Sequence, residues 1–315
     1  MMEISVIIPV YNAEKYISKA VESALQLEEV KEVILIEDQS PDNALEICQQ
    51  LALQDERVKL FQHPDKGNHG AGASRNLGIE KSTADFIAFL DADDYFLPNR
   101  FNAEKTLFND PKVDGVFNAI GTEFLTEKGK EEFLSHIADD YLLTVNYPAE
   151  GTDVFKGLLG QTSKVFGTFF TLDALTVRTS ALEKSRLTFN EDLRVHQDSD
   201  FIIKLAYHCY LKAGIIDEAV AIRGIHDDNR ITKIKKYSTL YNQRQFLFWN
   251  SLYQWSQNHI LDQDAKQHIS LQKKAFELSV KKGFPKAKTF FAAILKDPNI
   301  LKTKYRFTYT HHETQ

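Results

Sequence analysis

The 315-residue chain contains little cysteine and no long apolar run. Its two cysteines, Cys48 and Cys209, stand alone within apolar helical patterns, which excludes a disulfide framework and a cysteine-based zinc site. No segment approaches the ~20 apolar residues that a membrane-spanning helix needs. The first apolar run, residues 4–10, follows no basic segment and is too short for a secretion signal. We therefore expect a cytoplasmic protein, and peripheral attachment to the inner face of a membrane stays open.

The chain also lacks an excess of positive charge, since 38 lysine and arginine residues stand against 44 acidic residues, for a net charge of −6. This balance gives no reason to expect a nucleic-acid partner. Hydrophobic residues make up 43% of the chain and charged residues 26%, which is ordinary for a globular protein with a sizeable core.

Apolar strands alternate with helical patterns through the first hundred residues. Buried strands are predicted at 4–9, 33–36, 58–61 and 86–90, where β-branched and aromatic residues dominate. Ser40 followed by Pro41 predicts the start of the second helix. This alternation is typical of an α/β fold with a mostly parallel sheet and helices on both faces. In such sheets ligands bind beyond the carboxyl ends of the strands.

The pattern changes twice along the rest of the chain. Residues 110–230 show a mixed pattern without clear periodicity, and residues 236–298 show helical patterns rich in Gln, Lys and aromatic residues, including Trp249 and Trp255. We therefore divide the chain into a nucleotide-binding domain at 1–230 and a helical extension at 231–315.

Three carboxylates directly follow the fourth predicted strand, at Asp91, Asp93 and Asp94. Carboxylates this close repel one another unless a cation joins them. Hard oxygen ligands suit Mg²⁺ or Mn²⁺, which also bind phosphate oxygens. An isolated Asp-x-Asp is more often a solvated acidic turn than a metal site, but the position of this one at a strand end, in a chain with two other polar strand ends, favours the metal site.

Two further polar segments lie at predicted strand or loop ends. Glu37 and Asp38 follow the second strand, where a carboxylate can accept a hydrogen bond from a base N–H or can simply favour a helix start. A glycine-rich loop at 67–72 leads to Arg75, and arginine binds phosphate bidentately. Taken alone, the glycines indicate only a flexible connection.

Downstream, residues 189–201 carry several acids ahead of an apolar helical run. A carboxylate at a helix N-terminus can act as a general base. The residues alone do not choose between Asp192, Asp198 and Asp200, which could equally be capping acids. His226 is a further candidate, although a lone histidine is more often structural than a ligand.

These segments together resemble the family 2 glycosyltransferases of the GT-A fold, of the bacterial polysaccharide type. The resemblance spans residues 4–230 and rests on 6–12 (V-I-I-P-V-Y-N), 36–42 (I-E-D-Q-S-P-D), 68–78 (N-H-G-A-G-A-S-R-N-L-G), 89–94 (F-L-D-A-D-D), 189–201 (F-N-E-D-L-R-V-H-Q-D-S-D-F) and 223–226 (R-G-I-H). Two positions depart from the family pattern. Glu37 replaces a usual Asp, and Gln197 replaces the Glu of an E-D pair.

The resemblance implies an inverting, metal-dependent hexosyltransferase that uses Mn²⁺ or Mg²⁺. It would move a sugar from a nucleotide diphosphate sugar, with UDP favoured, to a hydroxyl of a carbohydrate or lipid-linked acceptor in polysaccharide or glycolipid synthesis. It implies that Asp198 is the base and that Asp93 and His226 bind the metal. The implied donor-binding residues are Pro9, Val10, Tyr11, Glu37, Asp38, Arg75, Asp91 and Ala92.

Two other functions compete with this interpretation. A sugar nucleotidyltransferase usually has a glycine-rich basic loop after its first strand, and Tyr11 and Asn12 stand there instead. A non-catalytic nucleotide-sugar-binding subunit is favoured only by Gln197. The helical extension either completes the core, which is the plainer interpretation, or rests a basic and aromatic face on an anionic membrane.

Overall fold

A computed structural model describes residues 2–134, 142–167, 170–227, 238–281 and 283–303. The chain divides into two compact units, Met1–Asp228 and Asn229–Gln315. The boundary expected after residue 230 falls within 228–237, outside the described residues.

The described residues of the first unit form two β-sheets and eight α-helices. Its strands are β1 (Ile4–Val10), β2 (Val30–Glu37), β3 (Val58–Gln62), β4 (Phe86–Phe89), β5 (Tyr95–Phe96), β6 (Gly115–Phe117), β7 (Ala119–Phe124), β8 (Leu142–Leu143), β9 (Leu175–Arg178), β10 (Leu211–Ala213) and β11 (Ala219–Ile225). Its α-helices among the described residues are α1 (Ile17–Leu25), α2 (Ala44–Gln54), α3 (Ala71–Lys81), α4 (Asn102–Leu107), α5 (Glu127–Leu134), α6 (Thr152–Leu158), α7 (Thr179–Ser185) and α8 (Gln197–His208).

The larger sheet has seven strands in the order β10-β6-β9-β4-β1-β2-β3. The strand pairs β4–β1, β1–β2, β2–β3 and β10–β6 are parallel, and only β9 runs antiparallel to its neighbours β4 and β6. The predicted α/β class with a mostly parallel sheet is therefore confirmed. A smaller sheet, in the order β5-β11-β7-β8, lies beside it.

Helices cover both faces of the large sheet. Val6 and Ile8 of β1 belong to one apolar cluster with Val21 of α1. On the opposite face, Ile7 packs against Gly78 of α3, where an added Cβ would lie 2.3 Å from the Ile7 Cγ2 atom. Glycine at this position therefore lets the α3 backbone approach the sheet.

The register of the central strands places their carboxyl ends at one edge. Val10 of β1 pairs with Glu37 of β2, and Ile7 pairs with Phe89 of β4. The polar residues that follow these three strands therefore lie at the same edge, as the sequence predicted.

The predicted start of the second helix is wrong. α2 begins at Ala44, whose N–H donates to Asp42 Oδ1 at 3.2 Å. The Ser40 hydroxyl instead accepts a hydrogen bond from the Asn12 N–H at 3.2 Å, so it joins the turns after β1 and β2. A cross-strand partner thus outcompeted the local capping signal.

The second unit is helical, as predicted. It contains α9 (Thr239–Gln257), α10 (Gln263–Val280) and α11 (Gly283–Lys296), followed by a 3-10 turn at Pro298–Lys302. Ala275 and Leu278 of α10 pack with Ile300, and one face of α11 adjoins them. Across the ranges that the structure describes, no helix combines the length and the hydropathy needed to cross a bilayer.

Candidate active site

The carboxylates that follow β4 form one cluster at the carboxyl edge of the sheet. One side-chain oxygen from each of Asp91, Asp93 and Asp94 lies within 4.8 Å of the other two. Asp91 and Asp93 are partly exposed, whereas Asp94 is buried and accepts a hydrogen bond from the Gly224 N–H at 3.0 Å. Three converging carboxylate oxygens, two of them accessible, fit a hard divalent cation.

The electrostatics of this cluster favour a positive ion. Burial raises the pKa of Asp94 well above its ordinary value, and the neighbouring Asp173, Asp93 and Asp91 carboxylates raise it further, against a smaller opposing effect of Arg223. Burial and the nearby Asp91 likewise raise the pKa of Asp173 to about 7. The site therefore holds more negative charge than its own side chains compensate.

His226 joins this cluster from the second sheet. It follows β11, and its Nε2 atom lies 3.1 Å from Asp93 Oδ2. Its ring is buried and stacks on Tyr16, with 4.6 Å between ring centroids. The two residues predicted to bind the metal are thus neighbours, although 133 positions separate them in the sequence.

Arg75 connects the carboxylate cluster to the downstream acidic segment. Its Nη2 donates to Asp91 Oδ1, and its Nη1 donates to Gln197 Oε1 at 3.0 Å. Arg75 is only 3% exposed, so these contacts are formed in a largely desolvated site. The glycine-rich loop segment, the carboxylate cluster and the downstream acidic segment, which the sequence predicted separately, therefore meet at Arg75.

The downstream segment is fixed to α3 by Asn76. The Asn76 Oδ1 accepts from the Phe189 N–H at 2.8 Å, and its Nδ2 donates to the Phe189 carbonyl at 3.0 Å and to Glu191 Oε1 at 2.8 Å. Arg194 adds contacts to Asn68, at 3.2 Å and 3.3 Å. These bonds position the start of α8 beside Arg75.

The three candidate bases have different surroundings. Asp200 is fully buried and paired with Lys204 at 2.5 Å, which gives it a structural partner within α8. Asp192 is exposed in the loop before the helix. Asp198 is half-buried in the first turn of α8, next to Gln197, where its Oδ1 accepts from the Ser199 N–H at 2.8 Å.

Glu37 and Asp38 are engaged by neighbouring loops. The Glu37 oxygens accept from the Ser40 N–H at 2.5 Å and from Gln62 Nε2 at 2.6 Å. The Asp38 oxygens accept from the N–H groups of His69 and Gly70, each at 2.7 Å, and from Asn68 Nδ2 at 3.0 Å. Both acids thus organise the turns around the edge, and their contact with a base stays a prediction.

The remaining predicted donor residues lie at the same edge. Pro9 and Val10 end β1, with Val10 buried, and Tyr11 is 44% exposed directly after them. Ala92 is buried between Asp91 and Asp93. An exposed aromatic ring beside a carboxylate cluster is suited to stack on a nucleobase.

Comparison with known families decides the classification. The model of the family described as "Glycosyl transferase family 2" matches residues 5–166, which is about half of the chain. The chain belongs to glycosyl transferase family 2.

Relatives of this glycosyltransferase include two proteins described as uncharacterized glycosyltransferases. The Haemophilus influenzae protein is 43% identical over 102 residues, which cover 32% of this chain and 40% of the relative. The Rickettsia bellii protein is 30% identical over 237 residues, covering 75% of this chain and 31% of the relative. The matched segments thus span less than half of each relative's length.

Solved structures of glycosyltransferases share the GT-A fold with this chain. S. aureus TarS, residues 1–349, gives a TM-score of 0.60 at 18% identity and covers 98% of this chain and 83% of its own. TarS has also been solved in complex with UDP-GlcNAc. A mannosyltransferase from Pyrobaculum calidifontis, in complex with GDP-Man and Mn²⁺, gives a TM-score of 0.54 at 14% identity and covers 83% of its own chain.

Sequence reasoning missed two residues of this candidate site. Asp173 is buried, and its Oδ1 accepts from the Asp91 N–H at 2.8 Å. In the sequence Asp173 is a single acid between the apolar residues of Leu172–Ala174 and β9. It lies in the stretch of the chain that shows no clear periodicity, so no pattern marked it. Tyr16, which stacks on His226, carried no signal because it reads as an ordinary apolar position of the first helix.

Proposed function

We propose that this family 2 enzyme is an inverting glycosyltransferase that takes a sugar from a UDP-sugar and attaches it to an acceptor hydroxyl. The observation that carries the proposal is the bridge from Asp91 through Arg75 to Gln197, which joins the acidic cluster to the segment holding Asp198. A donor diphosphate at the cluster would thereby lie beside a carboxylate able to accept a proton.

We propose that Asp91, Asp93 and His226 hold a divalent cation, Mn²⁺ or Mg²⁺, with the diphosphate. Their oxygen and nitrogen atoms are of the types that these metals accept, and the excess acidic charge of the cluster favours cation binding. A bound cation would neutralise the diphosphate and make it a better leaving group. The Mn²⁺ in the P. calidifontis enzyme supports this assignment.

Arg75 would contact the donor diphosphate directly. Within the described part of the chain its Nε–H has no hydrogen-bond partner, although the side chain is buried. A buried, unsatisfied guanidinium N–H is costly, and an anionic ligand would satisfy it. Tyr11, Pro9 and Val10 would hold the base, which we propose is uracil, the base of the UDP-GlcNAc and UDP bound in the TarS complexes.

The reaction follows from this arrangement as a single displacement. The acceptor oxygen forms a bond to the anomeric carbon while the bond from that carbon to the diphosphate oxygen breaks, and the electron pair leaves with the nucleoside diphosphate. Asp198 takes the hydroxyl proton of the acceptor. Attack on the face opposite the leaving group inverts the anomeric configuration.

A panel of ligands tests the donor assignment. Wild-type protein is heated with Mn²⁺ and either UDP, GDP or no nucleotide, because a ligand that binds the folded state raises its midpoint of unfolding. We expect UDP to raise the midpoint and GDP to raise it less. Equal or larger stabilisation by GDP would remove the uracil assignment.

A donor-hydrolysis assay separates an enzyme from a binding subunit. Glycosyltransferases that hold a donor and a water transfer the sugar slowly to water, so UDP release from UDP-sugars should exceed the uncatalysed rate. Binding of UDP without release from any UDP-sugar would favour the non-catalytic alternative. The acceptor, a carbohydrate or lipid-linked hydroxyl in polysaccharide or glycolipid synthesis, is then sought with the best donor.

We further propose that the exposed face of α11 binds the anionic lipid surface at the inner face of the membrane. Phe284, Lys288, Phe291 and Leu295 share one stripe of this helix, and Phe284, Phe291 and Leu295 are 81%, 65% and 87% exposed. The helix carries three lysines and no acid. An apolar stripe with basic residues fits an anionic lipid surface better than a neutral one.

Matched leucines test the membrane contact. Leu295 and Leu53 are 87% and 89% exposed, but Leu53 lies on α2 of the first unit. We expect Leu295→Glu to reduce the fraction of protein that sediments with vesicles containing anionic lipid. Leu53→Glu should leave that fraction at the wild-type value. Neutral vesicles should sediment little of either variant. Equal sedimentation of wild type with neutral and anionic vesicles would contradict the proposal.

A further inference from the structure

Asp173 is a buried acid that contacts the main chain of the carboxylate cluster and is absent from every motif in the sequence. It is 4% exposed and lies in the 3-10 turn Leu172–Ala174, just before β9. Its Oδ1 accepts a hydrogen bond from the Asp91 N–H at 2.8 Å, so it acts on the residue that begins the cluster.

The main chain around Asp173 is itself firmly held. Arg100, which is fully buried, donates from Nε to the Asp173 carbonyl at 2.9 Å and from Nη2 to the Leu175 carbonyl at 3.1 Å. Its third contact, from Nη1 to Glu104 Oε1, is 2.7 Å long, and Glu104 is also fully buried. A desolvated ion pair with these main-chain bonds fixes the turn that presents the Asp173 carboxylate.

Asp91 is therefore held at two points that differ in kind. Its N–H is bound by Asp173, and its side chain is bound by Arg75. Leu90, the residue before it, donates its N–H to the Ile7 carbonyl at 3.0 Å just beyond the end of β4. The next N–H along the chain is that of Asp91, which the Asp173 carboxylate binds at the start of the segment that leads to Asp93.

We propose that Asp173 is a positioning residue whose oxygen holds the Asp91 main chain so that the Asp91 and Asp93 carboxylates converge on one cation. The proposal rests on the proposed donor site, but it concerns the hydrogen bond and not the charge of Asp173. A side chain with an oxygen at the same place should therefore replace it, and one that displaces this oxygen should not.

Two variants separate geometry from charge. Asp173→Asn keeps an acceptor oxygen at the same distance from the main chain and removes the charge, whereas Asp173→Glu keeps the charge and moves the oxygen by one methylene. We expect the Asn variant to keep its half-saturating Mn²⁺ concentration, read from the thermal midpoint with UDP present, within about threefold of wild type. We expect the Glu variant to require at least about tenfold more Mn²⁺.

The opposite ranking, with Glu near wild type and Asn weakened tenfold, would overturn the proposal and assign the effect to charge. Wild-type behaviour of both variants would also overturn it. If the Glu variant does not fold, a tenfold loss in the Asn variant would still contradict a role through hydrogen-bond geometry, and the amide exchange of Asp173→Ala then tests the hydrogen bond itself.

Amide exchange in the metal-free protein makes the test independent of the donor site. The Asp91 amide should exchange slowly in wild type and in Asp173→Asn, and faster in Asp173→Ala. Unchanged protection in the Ala variant would overturn the proposal. If wild type binds neither Mn²⁺ nor UDP, the proposed function fails, while the exchange rates still report whether Asp173 holds Asp91.

Discussion

At the scale of single residues, Arg75 is the side chain that links the parts of the candidate site. It is buried, it pairs with Asp91, and it donates to Gln197. A guanidinium can serve two partners and a ligand at once because it presents five N–H donors in a plane. Gln197 offers an acceptor oxygen at the position where the resemblance would place a Glu, so it accepts from Arg75 without adding a negative charge.

We predict that Arg75→Lys weakens UDP binding by about tenfold or more, because an ammonium on a flexible stem cannot bridge Asp91 and Gln197 and also hold phosphate. Isothermal titration with UDP and Mn²⁺ measures the effect. Arg57→Lys is the control, since Arg57 pairs with Asp55 at the start of β3. Equal UDP affinity in the Arg75 variant and wild type would show that Arg75 does not contact the donor.

We predict that Asp198→Asn is a defect of chemistry and not of binding. The variant keeps the shape of the side chain but cannot take the acceptor proton, so single-turnover transfer should fall by ~10²- to 10⁴-fold, while UDP affinity stays within about twofold because the donor contacts are assigned elsewhere.

Two variants control this experiment. Asp192→Asn removes an exposed acid from the same segment and should leave transfer unchanged. Asp200→Asn breaks the buried pair with Lys204, so it should lower the free energy of unfolding. Near wild-type transfer by the Asp198 variant, with a large loss in either of the others, would move the base to another carboxylate.

At the scale of helices and strands, the close contact of α3 with β1 sets the position of Arg75. An added Cβ at Gly78 would lie 2.3 Å from Ile7 Cγ2, in the fully buried interior of the sheet. A Cβ at Gly72, near the start of the same helix, would meet its nearest atoms at an ordinary 3.6 Å.

We predict that Gly78→Ala lowers the free energy of unfolding by about 1–3 kcal/mol through overpacking. Gly72→Ala should be neutral or raise it by up to about 1 kcal/mol, because alanine favours the helix. Urea denaturation of both variants measures the difference. If both alanines have the same effect, α3 does not approach the sheet as closely as described.

Much of the large sheet could be predicted from the sequence, and most of the small one could not. β1, β2 and β4 are apolar runs buried on both faces, which a sequence displays directly. β5 and β8 of the small sheet have two residues each, and β10 at the edge of the large sheet has three, and a strand that short shows no periodicity. Their pairing is set by tertiary contacts that no local pattern records.

The candidate site shows the same limit. Its residue types were recognisable at strand ends and helix starts, but the bond from Arg75 to Gln197 joins positions 122 apart in the chain. Asp173 was missed because its role comes from burial beside Asp91, and burial of a single acid has no sequence signature.

At the scale of the whole molecule, the candidate site lies within the first unit. Asp38, Arg75, Asp93, Asp198 and His226 all belong to Met1–Asp228, and each candidate contact described above is formed inside that unit. The helical unit carries none of the predicted donor residues, so its proposed part is attachment and not chemistry.

The central claim is that the acidic cluster, Arg75 and His226 form one metal-dependent donor site. UDP titration by calorimetry, in Mn²⁺ and again in EDTA, tests it most directly with wild type and Asp93→Ala. We predict that wild type binds UDP in Mn²⁺ and at least about tenfold more weakly in EDTA, because a cation held by Asp93 and His226 would neutralise the charge of the diphosphate. The variant should bind weakly in both, and its metal-free fold should be no less stable, because one repelling carboxylate is gone. Equal UDP affinity of wild type in Mn²⁺ and EDTA, or unchanged Mn²⁺ dependence in Asp93→Ala, would contradict the account.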